Sequence, residues 1–203
     1  MLIFDMDGTL WDTTNVTLKA ANEIAKIHND INLINIDTVK KGMGLSKEEN
    51  AKNYMPYIKQ ETAIKYIDEI NDKTVELINK QGADIYDNVV DTIKKLSKKY
   101  KLGIVTNNND DYAKIFMKKA NLNDYFTDYI GTATYGITKA DAIKIMTKRN
   151  KEDKNYYIGD IKKDMIASNN AGVDFIHAKY GFGKDLKSKL YINDISELIN
   201  MFD

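Results

Sequence analysis

The segment Met1–Asp12, MLIFDMDGTLWD, joins a short apolar run to an acidic turn. The run Leu2–Phe4 ends at a charged residue, a pattern typical of a buried parallel strand. Asp5 and Asp7 follow, and residues two apart in an extended backbone point to the same side. Two neighbouring carboxylates repel each other unless a cation or a proton lies between them. The segment therefore predicts a strand whose carboxyl end carries a paired-carboxylate site.

Further apolar runs predict the other strands of a sheet. They lie at residues 102–105, 129–130, 156–158 and 173–176. Between them, apolar residues recur every three to four positions, as at Tyr112, Ile115 and Phe116, which indicates amphipathic helices. Alternation of strands and helices predicts an α/β fold, a doubly wound parallel sheet with helices on both faces.

The stretch after the first strand breaks this alternation, because it contains no convincing strand. Apolar residues at helical spacing predict one helix near Val16–Ile27 and a longer one near Ile64–Leu77. The sequence thus predicts a core of residues 1–14 and 83–203, with a helical cap of residues 15–82 inserted into it.

Composition excludes several classes of protein. The 203 residues contain 30 Lys and Arg, 30 Asp and Glu, two His and no Cys. Balanced charge argues against nucleic-acid binding, and the lack of Cys excludes disulfide scaffolds, zinc–thiolate sites and a Cys nucleophile. No apolar run approaches the roughly 18 residues of a membrane span, and Asp5 interrupts any signal peptide. We expect a soluble, cytoplasmic protein, either a monomer or a dimer.

The acidic turn has other interpretations. A calcium loop needs Gly at its sixth position and an acid at its twelfth, whereas Gly8 is fourth and Val16 twelfth. A solvated turn with helix-capping carboxylates stays possible.

A second acidic pair, Asp160 and Asp164, comes after the run 156–158, and its members lie one helical turn apart. These two could share a divalent ion, or cap the amino end of a helix.

The segment Phe4–Asp12 resembles the first motif of the haloacid dehalogenase (HAD) superfamily, in its phosphatase branch. In that family the first Asp forms an aspartyl-phosphate and the Asp two residues on is the general acid and base. The resemblance implies these roles for Asp5 and Asp7. Dehalogenases of the superfamily lack the second acid, so Asp7 favours phosphoryl chemistry. With an ordinary pKa near 3.9, Asp5 would be ionised at neutral pH without a separate base.

The remaining motifs of the superfamily occur in order. Thr106 ends the second predicted strand, and Lys139 precedes the fourth, although Ala140 stands where the family often has Pro. Residues 159–164 match the pattern Gly-Asp-x-x-x-Asp, and residues 170–173 and 179–183 resemble phosphoglycolate-phosphatase-like members. The resemblance implies the following site residues: Gly8, Thr106, Asn107 and Lys139 for phosphate, and Asp5, Asp7, Asp160 and Asp164 for Mg²⁺.

The stretch Gly42–Ser46 resembles the loop that these enzymes turn toward the active site. Lys41, Met43 and Leu45 are therefore candidates for contacting the leaving group. The alternative is that Lys41 is solvated and Met43 belongs to the core of the cap.

These observations predict a Mg²⁺-dependent phosphatase acting on a small soluble phosphomonoester. Phosphoglycolate, a sugar phosphate and a nucleoside monophosphate all remain possible substrates. One alternative is a phosphomutase on the same scaffold. Another is a phospho-accepting receiver domain, which usually has adjacent acids after strand one and no large insert. A P-loop is rejected, because Ile137 and Thr138 follow Gly136 where Lys and Ser or Thr are required.

Overall fold

A computed structural model of the protein describes residues 1–183 and 186–202, so residues 184, 185 and 203 of the predicted core lie outside it. The chain divides into two compact units. One, here called the core unit, consists of Met1–Asp12 and Ile85–Asp203; the other, the helical unit, is Thr13–Asp84. A role of the helical unit as a cap stays a prediction.

Strands and helices alternate along the core unit. The strands of the described chain are β1 (Leu2–Phe4), β2 (Trp11–Asp12), β3 (Asp84–Ile85), β4 (Leu102–Thr106), β5 (Asp128–Gly131), β6 (Tyr156–Gly159), β7 (Asp174–Ala178) and β8 (Leu190–Ile192). The helices are α1 (Thr14–Ile27), α2 (Ile36–Gly42), α3 (Lys47–Tyr54), α4 (Gln60–Gln81), α5 (Val89–Leu96), α6 (Asp110–Lys119), α7 (Thr132–Tyr135), α8 (Lys139–Asn150), α9 (Lys162–Ala171) and α10 (Glu197–Met201).

Six strands form one parallel sheet in the order β5-β4-β1-β6-β7-β8, and β2 pairs with β3. The register of the central strands is level, since Phe4 lies opposite both Ile104 of β4 and Ile158 of β6. The carboxyl ends of β4, β1 and β6 therefore meet at one edge of the sheet. The predicted α/β fold with a parallel sheet is confirmed.

Helices cover both faces of this sheet. Ile3 and Tyr157 point to the face where α8 and α9 pack, and Ile143 and Met146 of α8 complete that apolar layer. Phe4, the next residue along β1, packs edge-on against Phe126 at 6.3 Å between ring centroids, and Phe126 packs in turn on Phe116 of α6 at 6.4 Å. Because neighbouring residues of a strand face opposite sides, the same three-residue run supports both layers.

The helical unit has an apolar core of its own. Its core residues, contributed by all four helices and the segments that join them, include Ala21, Ile24, Val39, Ala51, Tyr54, Ile67 and Ile70. Asn35 caps α2, and Ser46 with Glu49 forms a reciprocal capping box at the start of α3. Across the residues that the structure describes, we find no helix with both the length and the apolarity needed to span a bilayer.

Candidate active site

The level strand ends bring three predicted site residues to one edge of the sheet. Asp5 follows β1 directly, and its backbone N–H donates to the Ile158 carbonyl of β6 at 2.8 Å. Thr106 is the last residue of β4, and Asp160 follows β6. All three are buried, with at most 6% of each residue exposed.

A cluster of three carboxylates forms at this edge. One oxygen from each of Asp5, Asp160 and Asp164 lies within 4.8 Å of the others. Lys139, the first residue of α8, donates from Nζ to Asp5 Oδ1 at 3.0 Å and to Asp164 Oδ1 at 2.6 Å. The Lys139 side chain is only 8% exposed. The predicted Lys and three of the predicted acids are thus assembled in one buried network.

Burial and mutual repulsion shift the ionisation of this cluster. Burial, followed by the charge of Asp164, raises the pKa of Asp5 well above its ordinary value, although Lys139 opposes the shift. The same two causes raise the pKa of Asp160 to about 7. Burial lowers the pKa of Lys139, but Asp164 and Asp5 together raise it well above the usual range. Desolvation thus raises the pKa of Asp5 above the ordinary value that the sequence analysis used.

The donor set of the cluster suits a hard divalent cation. Three carboxylates face one ammonium group, so the ionised cluster carries an excess of negative charge away from water. A cation such as Mg²⁺ takes oxygen ligands and would offset that excess. Asp164 already accepts the N–H groups of Asp160 and Ile161 through Oδ2, at 3.2 and 3.1 Å, which fixes its position.

Backbone packed tightly around Asp160 holds that side chain in place. Its Oδ2 accepts the Phe182 N–H at 2.8 Å, and its Oδ1 accepts the Thr9 hydroxyl at 3.3 Å. A Cβ on Gly8 or Gly181 would overlap the Asp160 side chain. Gly8 also has φ of +85°, a left-handed conformation that favours glycine. The glycine of the first motif is thus required by shape as well as by the turn.

Asp7, two residues after Asp5, is not part of the three-carboxylate cluster and has partners that the sequence analysis did not identify. Its Oδ1 accepts the Trp11 Nε1–H at 3.0 Å and the Tyr112 hydroxyl at 2.8 Å. Its Oδ2 accepts from Asn108 Nδ2 at 3.4 Å. Burial, together with the charge of Asp7, raises the pKa of Tyr112 well above its usual value. Tyr112 was predicted only as part of an apolar helix face, and no sequence signal pointed to this contact.

The predicted phosphate-binding residues have varied surroundings. Thr106 accepts the Asn108 N–H on Oγ1 at 3.2 Å, and Asn107, one residue beyond β4, is exposed. The Gly8 N–H donates to the Trp11 carbonyl at 2.9 Å, so the turn itself uses this amide. Phosphate binding by Gly8, Thr106 and Asn107 stays a prediction.

The three candidates for substrate contact lie in the helical unit. Lys41 is exposed in the last turn of α2, and Leu45 is 39% exposed. Met43 is half-buried and packs against the apolar core of that unit. This packing agrees with the alternative interpretation of Met43 as a core residue, and substrate contact by all three stays a prediction.

Comparison with known proteins identifies the family. Residues 2–178 match the model of the haloacid dehalogenase-like hydrolases. Similar solved structures include a haloacid dehalogenase-like family hydrolase from Streptococcus pneumoniae, with 19% identity, a TM-score of 0.85, and coverage of 100% of this chain and 97% of that one. A predicted phosphoglycolate phosphatase from Haemophilus somnus has 16% identity, a TM-score of 0.83 and coverage of 100% and 97%. A predicted phosphatase from Clostridium acetobutylicum has 22% identity, a TM-score of 0.78 and coverage of 98% and 96%.

No match was found among curated proteins. The family model nevertheless covers most of the chain, including the segments that carry Asp5, Thr106, Lys139 and Asp160. The chain therefore belongs to the haloacid dehalogenase-like hydrolase family and is an enzyme of that family.

Proposed function

We propose that the protein is a Mg²⁺-dependent phosphatase that hydrolyses a small soluble phosphomonoester through an aspartyl-phosphate on Asp5. The observation that carries this proposal is the buried network of Asp5, Asp160, Asp164 and Lys139, with Asp7 two residues along the chain from Asp5. Burying an ion costs several kcal/mol, which is a large share of the net stability of a folded domain. Buried charge networks are therefore typical of functional sites.

Asp5 acts as the nucleophile in the first step. One of its carboxylate oxygens attacks phosphorus, and the bond from phosphorus to the ester oxygen breaks. Asp7 donates its proton to that leaving oxygen. Lys139 and the Thr106 hydroxyl bind the phosphoryl oxygens, on which negative charge is spread in the transition state.

Asp7 acts as the base in the second step. Water attacks phosphorus while Asp7 removes a proton from it, and the bond from phosphorus to Asp5 breaks. Inorganic phosphate leaves, Asp5 is again a carboxylate and Asp7 is again protonated. Asp7 therefore serves first as the acid and then as the base, and the reaction requires no other acid or base.

The residues that would hold Mg²⁺ are Asp5, Asp160 and Asp164, with the backbone carbonyl of Asp7 as a further ligand. When bound, the ion would offset the repulsion between the Asp5 carboxylate and the phosphate dianion. Support for this assignment comes from the excess of carboxylates over ammonium groups in the cluster and from the absence of any Cys in the chain.

The helical unit is proposed to act as the cap that selects the substrate. The groups of the core touch only the phosphoryl group, which every phosphomonoester shares. Discrimination must therefore come from residues that reach the rest of the substrate. Lys41, Met43 and Leu45 are the candidates, with exposed Lys41 as the one that carries a charge.

The test is a panel of phosphomonoesters assayed for phosphate release with Mg²⁺, and again after exhaustive chelation. We expect hydrolysis of at least one ester with Mg²⁺, loss of activity on chelation, and recovery when Mg²⁺ returns. Full activity in the chelated protein would contradict the metal assignment. Lack of phosphate release from every ester, by protein that is folded and loaded with Mg²⁺, would contradict the phosphatase.

A further inference from the structure

We infer that Tyr112 and Trp11 are positioning residues that hold Oδ1 of Asp7 and so orient this carboxyl group for its proton transfers with substrate and water. This inference rests on the proposed phosphatase reaction. Two side-chain donors converge on the same oxygen, the Tyr112 hydroxyl at 2.8 Å and the Trp11 indole N–H at 3.0 Å. We call these three side chains the Asp7 clamp.

The Asp7 clamp is built from buried and well-packed groups. Trp11 is fully buried and Tyr112 is 4% exposed. Their rings meet edge to face at 5.3 Å between centroids, and Trp11 packs in the same way on Phe116 at 5.2 Å. Such pairs are fixed in orientation by the packing around them. The two donors are therefore held in place before Asp7 meets a substrate.

The backbone that carries Tyr112 is also fixed. Tyr112 lies in the first turn of α6, where Asn109 caps the helix by accepting the Tyr112 N–H at 2.9 Å. Helix α6 begins shortly after β4, the strand that carries Thr106. The clamp is thus anchored to the same sheet as the rest of the site, which favours precise placement of a reacting group.

Two donors on one oxygen fix the orientation of the Asp7 carboxyl group. Rotation of this group about the Cβ–Cγ bond would break the hydrogen bonds from both Tyr112 and Trp11. The Asn108 side chain reaches the other oxygen, Oδ2, at the longer distance of 3.4 Å. Tyr112 and Trp11 therefore act on the reaction through the orientation of Asp7.

The clamp leaves both proposed proton transfers to Asp7 itself. In the first step Asp5 attacks phosphorus, the O–H bond of Asp7 breaks as the ester oxygen takes the proton, and the bond from that oxygen to phosphorus breaks. In the second step Asp7 takes a proton from the attacking water, and the bond between phosphorus and Asp5 breaks. Tyr112 and Trp11 keep their own protons throughout, because they act only through Asp7.

A first experiment tests whether the clamp exists in solution, independently of any activity. Trp11 is the single Trp of the chain, so its indole N–H gives a single side-chain signal in a ¹⁵N-labelled spectrum. We expect Asp7→Ala to move that signal upfield, because the indole loses a charged acceptor. Tyr112→Phe should leave the signal close to its original position. A signal that does not respond to Asp7→Ala would overturn the inference and leave the phosphatase proposal untouched.

A second experiment uses Tyr112→Phe and two esters that differ in their need for an acid. An alkyl phosphate needs a proton on its leaving oxygen, whereas 2,4-dinitrophenyl phosphate does not. In single-turnover assays we expect the variant to release the alcohol about tenfold or more slowly, since general acids contribute roughly 10²–10⁴-fold. Release of dinitrophenol in the first turnover should stay within about twofold of wild type, by the same argument.

The matched control is Tyr100→Phe, which removes another Tyr hydroxyl, one that donates to the Phe202 carbonyl at 2.7 Å. It should leave both rates unchanged. Equal slowing of both esters by Tyr112→Phe, or no slowing of either, would overturn the inference. If Tyr112→Phe does not fold, Trp11→Phe removes the other donor and must give the same pattern. A wild-type protein that is folded and loaded with Mg²⁺ but releases phosphate from no ester of the panel would overturn the phosphatase and this inference together.

Discussion

Two lysines, one in each unit of the molecule, bridge two carboxylates each, but one network is buried and the other is partly exposed to water. In the core unit, Lys139 binds Asp5 and Asp164, and the three side chains are 8%, 9% and 0% exposed. In the helical unit, Lys73 lies 3.2 Å from Glu23 and 3.0 Å from Glu76, and those side chains are 26%, 36% and 44% exposed. Each lysine contacts two carboxylates, but the core network is much less accessible to water.

This difference in exposure distinguishes ion pairs at the protein surface from a buried cluster of charges. Water screens the helical-unit pairs, which therefore add little to stability. In the core the charges are desolvated, and the pKa values of Asp5 and Asp160 are raised as a result. A fold gains little from such an arrangement. The buried network is better explained by the phosphoryl group and the cation that it is proposed to bind.

The largest effect that we expect is on catalysis, when the core cluster loses its nucleophile. Asp5→Asn removes the nucleophile with little change in shape, and we expect kcat to fall about a thousandfold or more. Stability without divalent ions should not fall, because the change removes one of three mutually repelling carboxylates.

The matched control for this change is Asp68→Asn in the helical unit, where Asp68 pairs with exposed Lys47. The control should retain wild-type kcat. Thermal unfolding and steady-state kinetics of both variants are the measurements. An Asp5→Asn protein that keeps most of the wild-type kcat would show that the nucleophile lies elsewhere.

Much of this site could be predicted from sequence, because it depends on short apolar runs and on the polar residues directly after them. β1 and β4 are buried along their length and β6 is buried from Tyr157 onward, so each run ends where a polar residue meets the sheet edge. Level register then brings Asp5, Thr106 and Asp160 together. Membership of the hydrolase family also decides against the receiver-domain alternative.

Other elements were missed for physical reasons. β8 is a short edge strand whose Leu190 and Tyr191 are exposed, so it has no buried run to detect. Helices α2 and α3 are short, although the spacing of Ser46 and Glu49 is a capping-box signal that could have predicted the start of α3.

The contact between Tyr112 and Asp7 joins residues 105 positions apart. Helical periodicity correctly predicted that Tyr112 is buried, but it contains no information on where the hydroxyl points. The raised pKa of Asp5 was missed for a similar reason, because it depends first on burial of the carboxyl group and then on how closely Asp164 approaches in space.

The second effect concerns stability, and it is expected when either of the two bridging lysines is replaced. Lys139→Met leaves Asp5 and Asp164 buried without their cation, and removing one partner of a buried pair typically costs about 3–5 kcal/mol. Lys73→Met should change stability by little more than measurement error, because its partners are solvated.

Urea unfolding of both variants in chelating buffer, with wild type alongside, gives the two free-energy changes directly. Similar losses for Lys139→Met and Lys73→Met would show that burial does not distinguish the two networks. A Lys139→Met protein as stable as wild type would show that the core carboxylates do not need this ammonium group.

The smallest effect that we expect concerns selection of substrate by the helical unit rather than catalysis by the core. If Lys41 binds an anionic group on the leaving portion, Lys41→Ala should raise KM for a substrate that carries such a group. A lost charge-assisted contact corresponds to about a ten- to hundredfold fall in kcat/KM. The kcat on a simple aryl phosphate should hardly change, because that ester has no second anion.

Lys40→Ala is the matched control, since Lys40 is the adjacent exposed lysine of α2. Both constants measured on both substrates decide the matter, because a solvated Lys41 predicts no difference between the substrates. Equal effects on the two esters, or equal effects of the two variants, would remove Lys41 from the proposed substrate contacts and leave the chemistry of the core unaffected.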